Sequence, residues 1–201
     1  MSRDAAAHGE PTEADLKRWV QAWLRRRDEA AARALIDALY PTVMAIIRAR
    51  RIAAAAEQDV AQEVLVKFFE KLGAWSERAP LRHWVARIAT NQCLDYLRAE
   101  SRKKEWRLAD LTEEEAQALE HSLVSPERLA DLQTGTVELA QKLLARLTPE
   151  ERVVIEMLDM EGRTATEVQQ LTGWSSVAIR VRAFRARRKL RQWMQRLGSR
   201  L

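Results

Sequence analysis

Cysteine is nearly absent. Cys93 is the only one in 201 residues, so no intrachain disulfide can form and a cysteine-built zinc site is excluded. The three histidines, His8, His83 and His121, are scattered without ligand spacing, and neither a metal nor another cofactor is expected. A phosphate-cradling glycine loop and a nucleophile motif are also missing, which argues against an enzyme. Six glycines and five prolines leave few places to break a helix, while alanine, leucine, arginine and glutamate dominate, so the expected fold class is all-α. No stretch reads as approaching the ~18 apolar residues that span a bilayer, and the N-terminus lacks a secretory hydrophobic core. A cytoplasmic protein with no membrane insertion is expected.

Acid is missing from one end. From Val168 onward there is no Asp or Glu, while Arg180, Arg182, Arg185, Arg187, Arg188, Lys189, Arg191, Arg196 and Arg200 fall there. The net charge of +5 and pI of about 9.7 are therefore local properties, of the kind an acidic polymer such as nucleic acid attracts.

The length suits two small domains. Residues 1–11 are small and polar and read as a loose start. Thr12 is a candidate N-cap for a helix with a Leu16, Trp19, Val20, Trp23 and Leu24 stripe. A second helical stretch, about Asp28 to Arg51, contains Pro41 as a possible kink or break. Between Glu57 and Leu72, at about 100° per residue, Val60, Ala61, Val64, Leu65, Phe68 and Leu72 share a face opposite Asp59, Glu63 and Glu70. Residues 73–79 read as a loop, Pro80 as the start of a long helix to about Arg107 with Leu81, Trp84, Val85 and Ile88 inward. The first domain is thus expected over 12–107. Residues 108–132, with Asp110, Glu113, Glu114, Glu115, Glu120, Glu127 and Asp131, read as an acidic linker.

The second domain, 133–201, opens with Leu139, Leu143, Leu144 and Leu147. Thr148-Pro149-Glu150-Glu151 is a helix start with an N-cap, proline at N1 and acid in the first turn. That helix is expected to reach Gly162. Thr164-Ala165-Thr166-Glu167 is a capping box, the helix it opens stops at Gly173, and another starts near Ser175 or Ser176. Short helices meeting at a glycine turn spell a helix-turn-helix.

On its second helix Ile179, Ala183, Ala186 and Leu190 form a packing stripe, leaving Val177, Val181, Phe184, Arg185 and Arg188 opposite. Apolar side chains facing away from a core fit thymine methyls in a major groove, with Arg180 and Arg185 reaching guanine or phosphate. Arg182, Arg187 and Lys189 suit the DNA backbone. The bland alternative is a solvated basic helix with Phe184 packed inside the domain. On the long helix after Pro80, Arg87, Asn91 and Arg98 fall within about 40° of each other, with Trp84 and Asp95 at the margin, a face suited to melted DNA. Its alternative is a wet face beside a core tryptophan. Trp75 in its loop is either a stacking platform or a half-buried plug, and the acidic face either a docking surface or merely hydrated.

The order of these parts resembles the bacterial RNA polymerase sigma factors of the sigma-70 family, specifically the two-domain extracytoplasmic function (ECF) type. Asp59-Val60-Ala61-Gln62-Glu63 with Phe68-Phe69 is similar to the core-binding helix of the sigma-two domain. The run Pro80 to Asn91, with Leu94-Asp95-Tyr96-Leu97-Arg98, is similar to the promoter-melting helix, and Leu147 to Arg152 with the helix-turn-helix through Leu190 to the sigma-four domain. The resemblance implies a sigma-two-like bundle and a sigma-four-like helix-turn-helix joined by the acidic linker. It implies core polymerase binding through Asp59, Gln62, Glu63 and Val66. Minus-ten capture and melting would fall to Trp75, Arg78, Trp84, Arg87, Asn91, Asp95 and Arg98. Minus-35 reading would fall to Ser176, Val177, Arg180, Val181, Arg182, Phe184, Arg185 and Arg188. Core RNA polymerase and promoter DNA are the implied partners, with an anti-sigma factor as a further one. The rival reading is a helix-turn-helix regulator that binds duplex DNA without polymerase.

Overall fold

The computed structural model describes residues 10–109 and 134–198, with side chains from 10 to 103 and from 139 to 196. Residues 1–9 of the expected loose N-terminus, the acidic residues Asp110 to Asp131 and Arg200 lie outside the described residues. Helices alone make up the regular structure of the described residues. By Cα proximity the described chain divides into two compact units, one of residues 10–93 with 170–173, the other of 94–169 with 174 onward. Each is described by itself.

The first unit begins with α1 (Glu13–Arg26), opened by a capping box. The Thr12 hydroxyl accepts the Asp15 N–H at 3.2 Å and the Asp15 carboxylate accepts the Thr12 N–H at 3.2 Å. Leu16 and Val20 of its expected stripe are buried, whereas Leu24, in the last turn of the helix, is exposed. α2 (Glu29–Ala49) is capped by Asp28, whose carboxylate accepts the Ala30 and Ala31 N–H groups at 2.9 and 3.2 Å. Pro41 neither ends nor splits it: the proline and Asp37, whose carbonyl loses its helical partner, are both exposed residues on the wet side of the helix. The expectation that no apolar stretch reaches membrane length needs correction. α2 is long and apolar enough by length and composition. Packing explains this: α2 lies against both α1 and α3, and its Leu35, Leu39, Val43 and Ile47 are fully buried.

α3 (Glu57–Lys71) buries Val60, Ala61, Val64 and Phe68, as its periodicity predicts. α4 (Leu81–Ala109) adds Leu81, Val85 and Ala89 to the core. Aromatic rings tie the elements together, with Phe68 edge-on to Trp84 at 5.8 Å and Trp23 edge-on to Phe69 at 5.1 Å between centroids. Each fully buried leucine, valine or phenylalanine contributes about 1.5–3 kcal/mol relative to exposure.

In the second unit α5 (Thr134–Ala145) leads to α6 (Pro149–Ile155), where Thr148 and Glu151 form the expected capping box. α6 does not run as an α-helix to Gly162. It widens into a π-turn at Glu156–Met160, closed by the Glu161 N–H on the Glu156 carbonyl at 2.9 Å, and Gly162 then takes φ +65°. α7 (Ala165–Thr172) and α8 (Ser176–Gly198) follow. Leu144, Leu147, Ile155 and Ala186 form a core cluster that Leu190 and Trp193 cover.

Candidate nucleic-acid and polymerase surfaces

The helix-turn-helix is fixed by its ends. Thr164 and Glu167 cap α7 reciprocally, the carboxylate taking the Thr164 N–H at 2.7 Å and the hydroxyl accepting the Glu167 N–H at 3.3 Å. Those bonds from the Thr164 backbone and then its side chain hold the Glu167 carboxyl below the usual glutamate range. Gly173 turns the chain at φ +75°, where a side chain would be strained, and the Ser175 hydroxyl accepts the Ala178 N–H at 3.2 Å to start α8.

Along α8 the packing stripe is as the spacing predicts: Ile179, Ala183 and Ala186 are buried. The opposite face stays open, with Val177 60%, Val181 41% and Phe184 67% exposed. Phe184 therefore does not pack inside the domain. Ser176, Arg180, Arg185 and Arg188 are exposed beside them. Arg180, Phe184, Arg187, Arg188 and Arg191 join Leu158, Ala165, Ile179 and Ala183 in lining a groove of about 430 Å³. An apolar strip bordered by guanidinium groups has the chemistry to meet base edges and phosphates together.

Several arginines expected on DNA are engaged elsewhere. The Arg182 guanidinium lies over the Trp174 ring at 4.3 Å and is half-buried, so it does not stand out as a phosphate arm. Arg187 holds Asp159 through two hydrogen bonds of 3.1 and 2.5 Å, and Lys189 holds the buried Glu151 at 2.8 Å. These partners lie on the π-turn and on α6, which explains why a single helix face could not reveal them.

On α4, Arg87 and Asp95 are exposed and Asn91 is half-buried, while Trp84 spends much of its ring on Phe68. Arg98 is the correction here. It pairs with Asp95 at 3.0 Å and, within the second unit, with Glu150 at 2.8 Å. Burial pushes the Glu150 carboxyl up, but the Arg98 hydrogen bond and charge outweigh it and the net shift is downward. Trp75 is half-buried and its indole N–H donates to the Ala79 carbonyl at 3.1 Å, which closes the loop; Arg78 is exposed. The plug reading describes Trp75 in this structure.

On α3, Asp59, Gln62 and the 51% exposed Val66 form an open strip. Glu63 is exposed beside them and also accepts from the buried Gln92 amide, whose carbonyl in turn accepts from Lys67.

Sequence reasoning missed the side chains that hold the loop before α4. Lys17 Nζ meets the Glu77 carboxylate at 3.1 Å, and Glu13 accepts the Leu81 N–H. Arg82 donates to the Ala38 carbonyl at 3.0 Å and the Pro11 carbonyl at 3.3 Å, and pairs with Glu10 at 3.2 Å. No local spacing rule links positions so far apart in sequence.

Among known proteins, the sigma-70 region 2 family model matches residues 35–103 and the sigma-70 region 4 model residues 138–190. The chain is 30% identical over 167 residues to the probable RNA polymerase sigma factor RfaY of Xanthomonas campestris, covering 82% of this chain and 41% of that protein. It is 29% identical over 145 residues to the RNA polymerase sigma-H factor of Pseudomonas aeruginosa, covering 70% and 74%. To the ECF RNA polymerase sigma factor SigM of Mycobacterium tuberculosis it is 26% identical over 141 residues, covering 70% and 65%. The fold is similar to that of CnrH, solved in complex with the cytosolic domain of CnrY, with a TM-score of 0.53 at 19% identity over 91% of this chain and 96% of that one.

Proposed function

The chain belongs to the sigma-70 family, in its ECF type, and from that membership we propose that it binds core RNA polymerase, carries it to specific promoters and helps to melt them. Residues 12–107 act as the sigma-two-like domain, 108–132 as the acidic linker and 133–201 as the sigma-four-like domain. The observation that carries the reading is the open face of α8, where Val177, Val181 and Phe184 stand in solvent beside Arg180, Arg185 and Arg188. That face supports reading of a duplex minus-35 element. Asp59, Gln62, Glu63 and Val66 supply the polymerase contact. Arg78, Arg87, Asn91 and Asp95, with Trp75 and Trp84, meet the minus-ten strand; Arg98 takes part only after leaving its carboxylates. The chain works in the cytoplasm and has no chemistry of its own. CnrH is solved with the cytosolic domain of CnrY; a protein partner of that kind, acting as an anti-sigma factor, is part of the reading.

The test is transcription by purified chain plus the core polymerase of its own organism on fragmented genomic DNA, with RNA 5′ ends sequenced. Discrete start sites sharing a minus-ten and a minus-35 element are expected. Sequence-specific duplex binding with no initiation at any fragment would overturn the sigma reading in favour of a polymerase-independent regulator.

A further inference from the structure

We propose that α1 is a positioning element for promoter melting, in which Glu13 and Lys17 set the geometry of the loop 75–80 and of the first turn of α4. The proposal rests on the sigma reading for what that loop does.

α1 precedes the segment that the region 2 model matches, residues 35–103. Leu16 and Val20 anchor it in the core, which leaves Glu13 and Lys17 stacked one turn apart on a neighbouring face. Both reach the same place. α4 begins at Leu81 after Ala79-Pro80, a pair with no side chain able to cap a helix. Its first N–H groups lack intrahelical acceptors, and the Glu13 carboxylate accepts that of Leu81: the cap comes from another helix.

Lys17 holds the other side of the loop. Glu77 sits at φ +58°, a left-handed conformation that non-glycine residues avoid, and its carboxylate meets Lys17 Nζ at 3.1 Å. Arg82 adds bonds to the Pro11 carbonyl and to Glu10 at the entry to α1. The Trp75–Ala79 hydrogen bond closes the loop from within, but its orientation relative to α4 depends on α1. Trp75, Arg78 and Trp84 are thereby presented in one arrangement before any DNA arrives, so the ordering cost is met during folding.

The test uses the full chain, with E13A, K17E, E77K and the charge-swapped pair K17E/E77K. In the free protein, hydrogen exchange of the amides of 75–79, 81 and 82 should quicken about fivefold in E13A and K17E and return to within about twofold of wild type in the swapped pair. Unchanged exchange in both E13A and K17E overturns the strut itself. With core polymerase, on a promoter that the wild-type chain selects, open-complex formation by K17E should slow about threefold to tenfold and recover in the swapped pair. Affinity for core polymerase and for duplex carrying only the minus-35 element should stay level. Faster exchange with unchanged melting overturns the positioning role. A wild-type chain that initiates nowhere overturns the sigma reading, and with it the loop's role, while the exchange measurement still decides whether α1 holds the loop.

Discussion

Phe184 and Arg187 stand three residues apart on one helix and face opposite fates. Phe184 is exposed and outside the core, so F184A should leave thermal stability within about 0.5 kcal/mol. Transcription from a minus-35-dependent promoter should fall about tenfold, from the loss of apolar contact to base edges. Run-off transcription beside a melting curve checks both halves. Arg187 is bound to Asp159, and its guanidinium is held more firmly protonated by that hydrogen bond. Because both side chains are partly exposed, R187A should cost no more than about 1 kcal/mol, and D159A should cost no more on top of it. At this scale the sequence spoke clearly about direction and poorly about partners. Helical spacing put Val177, Val181 and Phe184 on the open face correctly. It could not tell that Arg182 lies over Trp174 or that Gln92 donates to Glu63, because those partners come from other elements.

Helix ends were the most legible feature, since capping is local chemistry. Thr12, Thr148 and Thr164 all cap as their sequences foretell, and Gly162 and Gly173 both turn with positive φ. Gly173 joins the helices of the helix-turn-helix, so G173A should cost about 1–2 kcal/mol by forcing a side chain into the left-handed region. Differential scanning calorimetry reads that cost, and weaker minus-35 binding should accompany it if α8 tilts. The Thr164 cap gives a pH signature. Glu167 titrates below its ordinary range when folded, so the cap's contribution is present above the unfolded glutamate pKa and is lost as pH falls through the lower, folded value. The Thr164 amide resonance should follow that titration in NMR, and E167Q should abolish it. Less legible was the π-turn after Ile155, whose Asp159 is held by Arg187 from a distant part of the chain, a partner that no local spacing names. The membrane-length apolarity of α2 stands in its composition, and burial of Leu35, Leu39, Val43 and Ile47 shows that it serves the core.

Across the whole molecule the charge is less available than the sequence count suggests. The acid-free C-terminal stretch reads as one basic run, yet Arg182, Arg187 and Lys189 are spent on Trp174, Asp159 and Glu151. Arg180, Arg185, Arg188 and Arg191 are the exposed cations along the open side of α8. Counterion release separates these classes, because only a cation that neutralises a phosphate contributes to the salt dependence of binding, by about 0.9 per contact in the log–log slope. For the full chain on duplex promoter DNA, R188A/R191A should lower that slope by about 2 and weaken binding similarly on all sequences. K189A should leave the slope unchanged, while lowering stability, because it leaves the buried Glu151 carboxylate without its cation and with the Thr148 N–H still bonded to it. A slope loss of about 0.9 from K189A would mean that Lys189 leaves Glu151 for the phosphates on binding, and that DNA recruits its cations by opening the domain's own ion pairs.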